Sequence, residues 1–172
     1  VRVHINDAGK FLEQSGESWD VIILDLPDPN NLSLARLYTG SFYKLLSRHL
    51  AVHGIVVTQA TSPFYAAEAF WCVVSTFEQT AIGPEGEGRF NVYPYHAYVP
   101  SFGDWGFVMA SDLALDWRRV RVDVPTRFLR KEMLGVLTTF DADTAEVPTE
   151  ISTLENPAVW RYYLEGWRRW RG

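Results

Sequence analysis

The feature that most constrains this chain is an apolar run that ends in a carboxylate. Residues 19–25 have the sequence WDVIILD, and residues 26–31 continue as LPDPNN. Apolar residues in succession, without alternation, are typical of a parallel strand that is covered on both faces. The two prolines that follow are compatible with neither a helix nor a central strand. The pattern therefore predicts a buried strand that ends at Asp25, followed by a stiff loop that carries Asp28.

Other segments repeat this alternation of strand and helix along the first half of the chain. A second apolar run at residues 55–59 predicts another buried parallel strand. The spacing of apolar residues predicts helices over residues 10–14 and 37–50, and a third from Ser62 and Pro63 to about residue 80. Strands that alternate with helices in this way indicate an α/β fold built on a parallel sheet.

The second half of the chain has a different pattern. Residues 93–99 and 105–110 are typical of two strands that form an antiparallel hairpin at one edge of the sheet. Residues 83–88 predict a flexible loop, and residues 120–124 a short extended segment. Helices are predicted near residues 128–139 and 157–170. We interpret the aromatic residues of the last helix as a packing or dimer surface: Trp160, Tyr162, Tyr163, Trp167 and Trp170.

The beginning of the chain suggests that strands are missing before it. Residues 1–5 alternate like a strand, without a methionine, a cap or a turn before them. We therefore expect a fragment: the C-terminal part of an α/β domain whose first strands are absent. A strand at Val1–Ile5 without its neighbours would expose an adhesive edge, so we expect a homodimer or a changed position for this segment.

Composition excludes several classes of function. The formal net charge of −5 argues against a nucleic acid partner, since such proteins usually carry a basic surface. One cysteine cannot form an internal disulfide, and no apolar stretch has the length of a membrane span. The four histidines are scattered along the chain, so we expect no metal site.

Four polar residues follow predicted elements at the edge of the sheet where α/β proteins bind ligands: Asp7, Asp25, Asp28 and Gln59. Asp25 and Asp28 are the most informative, because two carboxylates held by a proline-stiffened loop would suit a cationic amine. The alternative is local, with Asp25 capping a turn or helix and Asp28 starting a turn.

Five blocks of sequence, in this order, resemble the spermidine synthase-like polyamine aminopropyltransferases. The blocks are Asp7-Ala8 with Phe11-Leu12, and residues 19–29, 37–43, 58–63 and 99–107. The resemblance ends at residue 111. It implies a truncated, Rossmann-like (class I methyltransferase-type) doubly wound catalytic domain at residues 1–111. We expect residues 112–172 to form a helical extension packed on that domain.

The resemblance also implies roles for individual residues. Asp7, Ala8 and Asp25 would bind decarboxylated S-adenosylmethionine, which is a co-substrate and not a tightly bound cofactor. Asp25 would orient and deprotonate the attacking amine, whereas Asp28 would grip the acceptor polyamine. Gln59 and Tyr98 would contact the acceptor. The chain departs from the family pattern at two places that affect recognition of the acceptor amine. Leu26-Pro27 replaces a pair of serines, and Val99 stands where many relatives have a tyrosine.

The implied function is transfer of an aminopropyl group to an amine such as putrescine, with release of methylthioadenosine. The partners would be a small polyamine and a nucleoside sulfonium, in the cytoplasm, although the parent protein could be tethered to a membrane. The glycine-rich first turn and an acidic residue of the family would precede Val1, so the fragment alone should be inactive. Two alternatives stay open: a methyltransferase-like enzyme, and a non-catalytic binding or oligomerisation module.

Overall fold

The computed structural model describes residues 1–83 and 85–170 and contains a four-stranded mixed sheet. Its strands are β1 (Trp19–Leu24), β2 (Leu50–Gln59), β5 (Asn91–Val99) and β6 (Gly103–Ser111), in the spatial order β1-β2-β6-β5. β1 runs parallel to β2, while β6 is antiparallel to both of its neighbours. β3 (Ala81–Ile82) and β4 (Gly88–Arg89) form a separate two-stranded pairing. The predicted α/β class and the hairpin at the sheet edge are confirmed.

Within the described residues, six α-helices lie before, between and after these strands. They are α1 (Ala8–Gln14), α2 (Leu32–Ala35), α3 (Gly40–Ser47), α4 (Ala67–Gln79), α5 (Lys131–Leu137) and α6 (Ala158–Arg168), with 3-10 turns at Arg36–Tyr38 and Trp117–Arg119. Among the described residues, no helix is long and apolar enough to cross a lipid bilayer.

The core lies between α4 and one face of the sheet. Phe70 and Phe77 of α4 are fully buried, as are Val56 of β2 and Val108 of β6. Gly106 of β6 allows the closest approach, because a Cβ atom there would lie 2.4 Å from the ring of Phe70. The helix therefore packs directly on the strand that joins the parallel pair to the hairpin.

The opposite face of the sheet is open at β1, so the prediction of a strand covered on both faces is wrong. Val21 and Ile23 share this face and are 55% and 74% exposed. The predicted strand at Val1–Ile5 is also wrong, since residues 1–5 adopt neither helix nor strand and are exposed. Among the described residues, no strand pairs with that segment. Strand structure needs a hydrogen-bonded neighbour.

Several boundaries differ from those predicted for local reasons. The helix predicted over residues 37–50 starts at Gly40, because Thr39 is extended and its side chain caps the backbone N–H of Phe42. The next helix starts at Ala67, with Pro63 in the preceding turn. Residues 120–124 form no strand. Residues 83 and 85–87 of the predicted loop lie between the short strands β3 and β4, whereas residue 88 begins β4. Residue 84 is outside the described range.

The C-terminal helix α6 is docked tightly beside the start of α4. Gly166 of α6 has no room for a side chain, because a Cβ atom would lie 2.7 Å from the Cα of Ala66. Trp167 stacks on Tyr65 with ring centroids 5.1 Å apart, and Arg169 pairs with Glu68 at 2.8 Å. The aromatic residues of this helix therefore include a packing surface, as expected, within one chain.

Candidate active site

Two carboxylates follow the C-terminal end of β1. Asp25 directly follows Leu24, the last residue of the strand, and its side chain is exposed. Asp28 lies three residues later in the proline-containing loop and is partly buried. Parallel strands of α/β sheets carry their ligand sites at this edge. The structure thus places both predicted residues where a small molecule would bind, with different degrees of access.

The side-chain amide of Gln59 ties this loop to the end of β2. Its Nε2 atom donates to the carbonyl oxygen of Leu26 at 2.6 Å, to the hydroxyl of Tyr38 at 2.6 Å and, more weakly, to Oδ1 of Asp28 at 3.3 Å. Gln59 is itself buried. A neutral amide that bridges the backbone and the carboxylate fixes the loop relative to the sheet.

The oxygen of the same amide is used as well. Oε1 of Gln59 accepts from the backbone N–H of Thr61 at 3.0 Å and from the indole N–H of Trp105 at 3.2 Å. Both ends of the amide are therefore satisfied within the protein. This arrangement gives Gln59 a positioning role; its predicted contact with substrate stays a prediction.

The hydroxyl of Tyr38 lies near both carboxylates. It donates to the carbonyl oxygen of Pro27 at 2.9 Å. Burial raises the pKa of Tyr38 far above its ordinary value, and the negative charges of Asp28 and Asp25 raise it further. Both carboxylates therefore act on the same buried hydroxyl.

Asp28 interacts with two distant parts of the chain. Its side chain accepts a hydrogen bond from Nε2 of Gln59 of β2 at 3.3 Å. Burial raises the pKa of Asp28, whereas Tyr163 of α6 and Gln59 oppose the rise because they favour the ionised form. The side chain is consequently desolvated and oriented before any ligand arrives.

No cation of the described chain blocks the pair. Across residues 1–83 and 85–170, no ion pair joins Asp25 or Asp28 to a lysine or arginine. The same residues contain no group of three or more His, Cys, Asp or Glu side chains able to hold a metal ion.

Comparison with known proteins assigns this arrangement to a family. A family model described as the spermine/spermidine synthase domain matches residues 1–116, which is well over half of the chain. The chain belongs to the spermine/spermidine synthase family. The resemblance inferred from the sequence blocks is confirmed.

Individual relatives agree with this assignment. Polyamine aminopropyltransferase 2 of Ralstonia nicotianae is 41% identical over 162 residues, which are 94% of this chain and 30% of that protein. The chain thus spans about 30% of the length of the curated relatives it matches. Because the similarity covers 94% of the chain, it continues beyond residue 111, where the resemblance inferred from the sequence ended.

Two solved structures share the fold. The structure of spermidine synthase from Thermotoga maritima has a TM-score of 0.62 and 19% identity, and covers 80% of this chain and 46% of that one. A spermidine synthase in complex with the transition state analogue AdoDATO has a TM-score of 0.60 and 17% identity, with 80% and 45% covered. The predicted Rossmann-like fold class is confirmed.

Asp7, predicted to bind the nucleoside in this family, is engaged within the chain. Its side chain caps α1 by accepting from the backbone N–H of Lys10 at 3.1 Å, and it forms an ion pair with Arg36. These contacts, led by the Lys10 hydrogen bond, lower the pKa of Asp7. Arg36 follows the Asp25–Asp28 loop, so the pair ties α1 to that end of the sheet. Ala8 is the first residue of α1.

Tyr98 lies apart from the other predicted residues of the site. It is 70% exposed on the edge strand β5, opposite Asp104 of β6. The register places it on the other face of the sheet from Trp105, whose indole contacts Gln59. The structure does not bring Tyr98 together with Asp28 or Gln59, and its contact with the acceptor stays a prediction.

Sequence reasoning missed four residues of this region: Tyr38, Thr61, Trp105 and Tyr163. Thr61 has φ of +62°, a rare conformation for a β-branched residue, and is buried. Such backbone strain concentrates at functional sites. Tyr38, Thr61 and Trp105 lie within the blocks that carried the resemblance, which offered a signal. Tyr163 had none, since only the packing of α6 brings it to Asp28.

Proposed function

We propose that the protein containing this chain is an aminopropyltransferase that uses decarboxylated S-adenosylmethionine and a small polyamine such as putrescine. The observation that carries this function is the pair Asp25 and Asp28 beyond the end of β1, with which no lysine or arginine of residues 1–83 and 85–170 forms an ion pair. The spermidine synthase bound to AdoDATO has the same fold, which supports the same class of reaction. The sequence similarity to polyamine aminopropyltransferases supports it further.

The reaction is a displacement at carbon. The nitrogen lone pair of the amine attacks the methylene carbon beside the sulfonium, a C–N bond forms, and the C–S bond breaks. Its electron pair stays on sulfur, which neutralises the sulfonium and releases methylthioadenosine. The new secondary ammonium, or the attacking amine before it reacts, must lose one proton for each turnover.

The two carboxylates supply what this reaction needs from the protein. An alkylammonium has a pKa near 10.4, so at neutral pH nearly all of the free amine is protonated and cannot attack. Asp25, which is exposed, accepts or relays that proton and orients the nitrogen. Asp28, which is partly buried and accepts a hydrogen bond from Gln59, binds the cationic amine in a fixed position.

The nucleoside side of the site involves α1 and the end of β1 in this proposal. Asp7 and Ala8 lie at the start of α1, and Asp7 keeps acceptor capacity beside its bonds to Lys10 and Arg36, because each carboxylate oxygen has two lone pairs. Asp25 contacts the same co-substrate. We further propose that no cofactor is tightly bound, that the protein works in the cytoplasm, and that it forms a homodimer.

A product assay on the complete protein tests this function. The protein is incubated with putrescine and either decarboxylated or intact S-adenosylmethionine, and the nucleoside products are separated by chromatography. We expect methylthioadenosine with the decarboxylated form only, and only when the amine is present. Formation of S-adenosylhomocysteine from the intact form would instead identify a methyltransferase. Neither product, in a folded protein that still binds the nucleoside, would indicate a non-catalytic module.

A further inference from the structure

We infer that Tyr38 is a positioning residue for the acceptor amine, because its hydroxyl fixes the backbone of the loop that carries Asp28. The hydroxyl donates to the carbonyl oxygen of Pro27, the residue directly before Asp28, at 2.9 Å. Tyr38 is only 1% exposed, so it acts through the loop and not by touching the amine. This inference rests on the proposed function, because it concerns how that site holds its acceptor.

The two residues that separate the aspartates are both held from the buried side of the loop. The carbonyl oxygen of Leu26 accepts from Nε2 of Gln59 at 2.6 Å, and that of Pro27 accepts from the hydroxyl of Tyr38. The same Nε2 atom also donates to the hydroxyl of Tyr38 at 2.6 Å. Two hydrogen bonds in succession therefore join the end of β2, through the phenol, to the residue before Asp28.

This anchor connects a surface residue to the core. Pro27 is exposed, whereas Tyr38 is enclosed at the end of the 3-10 turn that follows α2. The hydroxyl stays protonated, and thus a donor, at neutral pH, because burial raises its pKa and the charges of Asp28 and Asp25 raise it further. A carboxylate on a loop that is already fixed loses less entropy when it binds an ammonium group. Tyr38 therefore acts on amine binding more than on the displacement itself.

The substitution Tyr38→Phe in the complete protein removes the anchor and keeps the buried ring. We expect the KM for putrescine to rise roughly fivefold, the effect of one lost hydrogen bond, with kcat and the KM for decarboxylated S-adenosylmethionine changed less than twofold. Tyr43→Phe is the matched control. Tyr43 is equally buried, in α3, and its hydroxyl has no hydrogen-bond partner among the described residues, so its loss should leave the KM for putrescine unchanged.

A second control separates positioning from a general loss of stability. Oγ of Ser111 donates to the carbonyl oxygen of Gly54 at 2.9 Å, a buried hydrogen bond on β2 far from Gln59 in sequence. Ser111→Ala should lower the midpoint of thermal unfolding much as Tyr38→Phe does, without raising the KM for putrescine. An equal rise of this KM in both variants would assign Tyr38 a structural role only and overturn the inference.

A double-mutant cycle tests whether Tyr38 acts through Asp28. Adding Tyr38→Phe to Asp28→Asn should change the KM for putrescine by less than twofold, because the charge that the loop positions is already lost. A further fivefold rise in the double variant would show that the two residues act independently, and would contradict the inference.

Calorimetric titration of putrescine distinguishes this inference from the proposed function. Its dissociation constant should rise about fivefold in Tyr38→Phe and stay unchanged in Tyr43→Phe. Binding that is weakened in this way, in a protein whose wild type forms no methylthioadenosine, would refute the proposed function and support the inference. Turnover by the wild type, with neither the KM nor the dissociation constant altered by Tyr38→Phe, would refute the inference alone.

Discussion

The surroundings of Asp25 and Asp28, the two carboxylates of the loop after β1, differ in how far this chain encloses them. On the Asp28 side, the amide of Gln59, the buried hydroxyl of Tyr38 and the docked helix α6 enclose the carboxylate. On the Asp25 side, the carboxylate is exposed, and the neighbouring face of β1 is open. The comparison teaches that the proposed acceptor site is preorganised within these residues, while the proposed site of proton transfer is open to another molecule.

The open side also carries apolar surface that a folded protein usually covers. Val21 and Ile23 of β1 are exposed, and Val1, Val3 and Ile5 lie exposed without a strand partner. Each large side chain left in water forgoes about 1.5–3 kcal/mol of burial free energy. Enclosed polar contacts on one side and exposed apolar groups on the other mean that substitutions on the two sides should affect different measurements.

The largest effect is expected on the open side, from Asp25→Asn. An asparagine keeps the size of the side chain but cannot accept the proton of the attacking amine at neutral pH. We expect kcat in the complete protein to fall about a hundredfold or more, with binding of decarboxylated S-adenosylmethionine weakened far less. Steady-state kinetics and a nucleoside titration measure the two quantities. Asp20→Asn, at an exposed aspartate within β1, is the control. Normal turnover by Asp25→Asn would remove Asp25 from the mechanism.

The second largest effect is expected on the enclosed side, from Gly166→Ala, because this substitution disturbs the docking of α6. The added Cβ atom would lie 2.7 Å from the Cα of Ala66 and 2.9 Å from the carbonyl oxygen of Tyr65, which are backbone atoms that cannot easily move. We expect a loss of about 2–3 kcal/mol in the free energy of unfolding, measured by denaturant titration.

The control for that substitution is Gly135→Ala in α5. Nothing lies within 4 Å of a Cβ atom at Gly135, so alanine there should stabilise the helix by up to about 1 kcal/mol. Similar stabilities for the two variants would show that α6 is not held against Ala66, and the enclosure of Asp28 would lose its main structural support.

A smaller effect, on binding, is expected from Asp28→Asn. The variant keeps a polar group beside Gln59 and Tyr163 but loses the charge that attracts the ammonium group. We expect the KM for putrescine to rise about thirtyfold, equivalent to about 2 kcal/mol, with a smaller change in kcat. Asp123→Asn, at an exposed position outside the site, should leave both constants unchanged. An unchanged KM for Asp28→Asn would refute its gripping role and weaken the contrast with Asp25.

The sequence predicted the enclosed and open sides unequally. The strand end at Asp25, the stiff loop with Asp28 and the hairpin edge followed from apolar runs and prolines, which act locally. The exposure of Ile23 did not follow, because an apolar run does not reveal whether its partner layer is present in the chain. The influence of Tyr163 on the pKa of Asp28 could not be predicted either. It depends on how α6 docks on α4, and no sequence pattern encodes the pairing of two such distant residues.

The smallest expected effect is the contribution of Asp28, on the enclosed side, to the pH dependence of stability. Burial raises the pKa of Asp28 in the folded state, so the folded chain holds the proton more tightly than the unfolded chain, whose aspartates have a pKa near 3.9. The charged form therefore costs stability at neutral pH, and this cost decreases as the pH falls through the raised folded pKa. Relative to Asp28→Asn, the wild type should gain under about 1 kcal/mol between pH 7 and pH 4. Thermal unfolding of both proteins across that range measures the difference, in which all other titrating groups cancel. A wild type that instead loses stability relative to the variant on acidification would mean that the donors Gln59 and Tyr163 outweigh burial at Asp28.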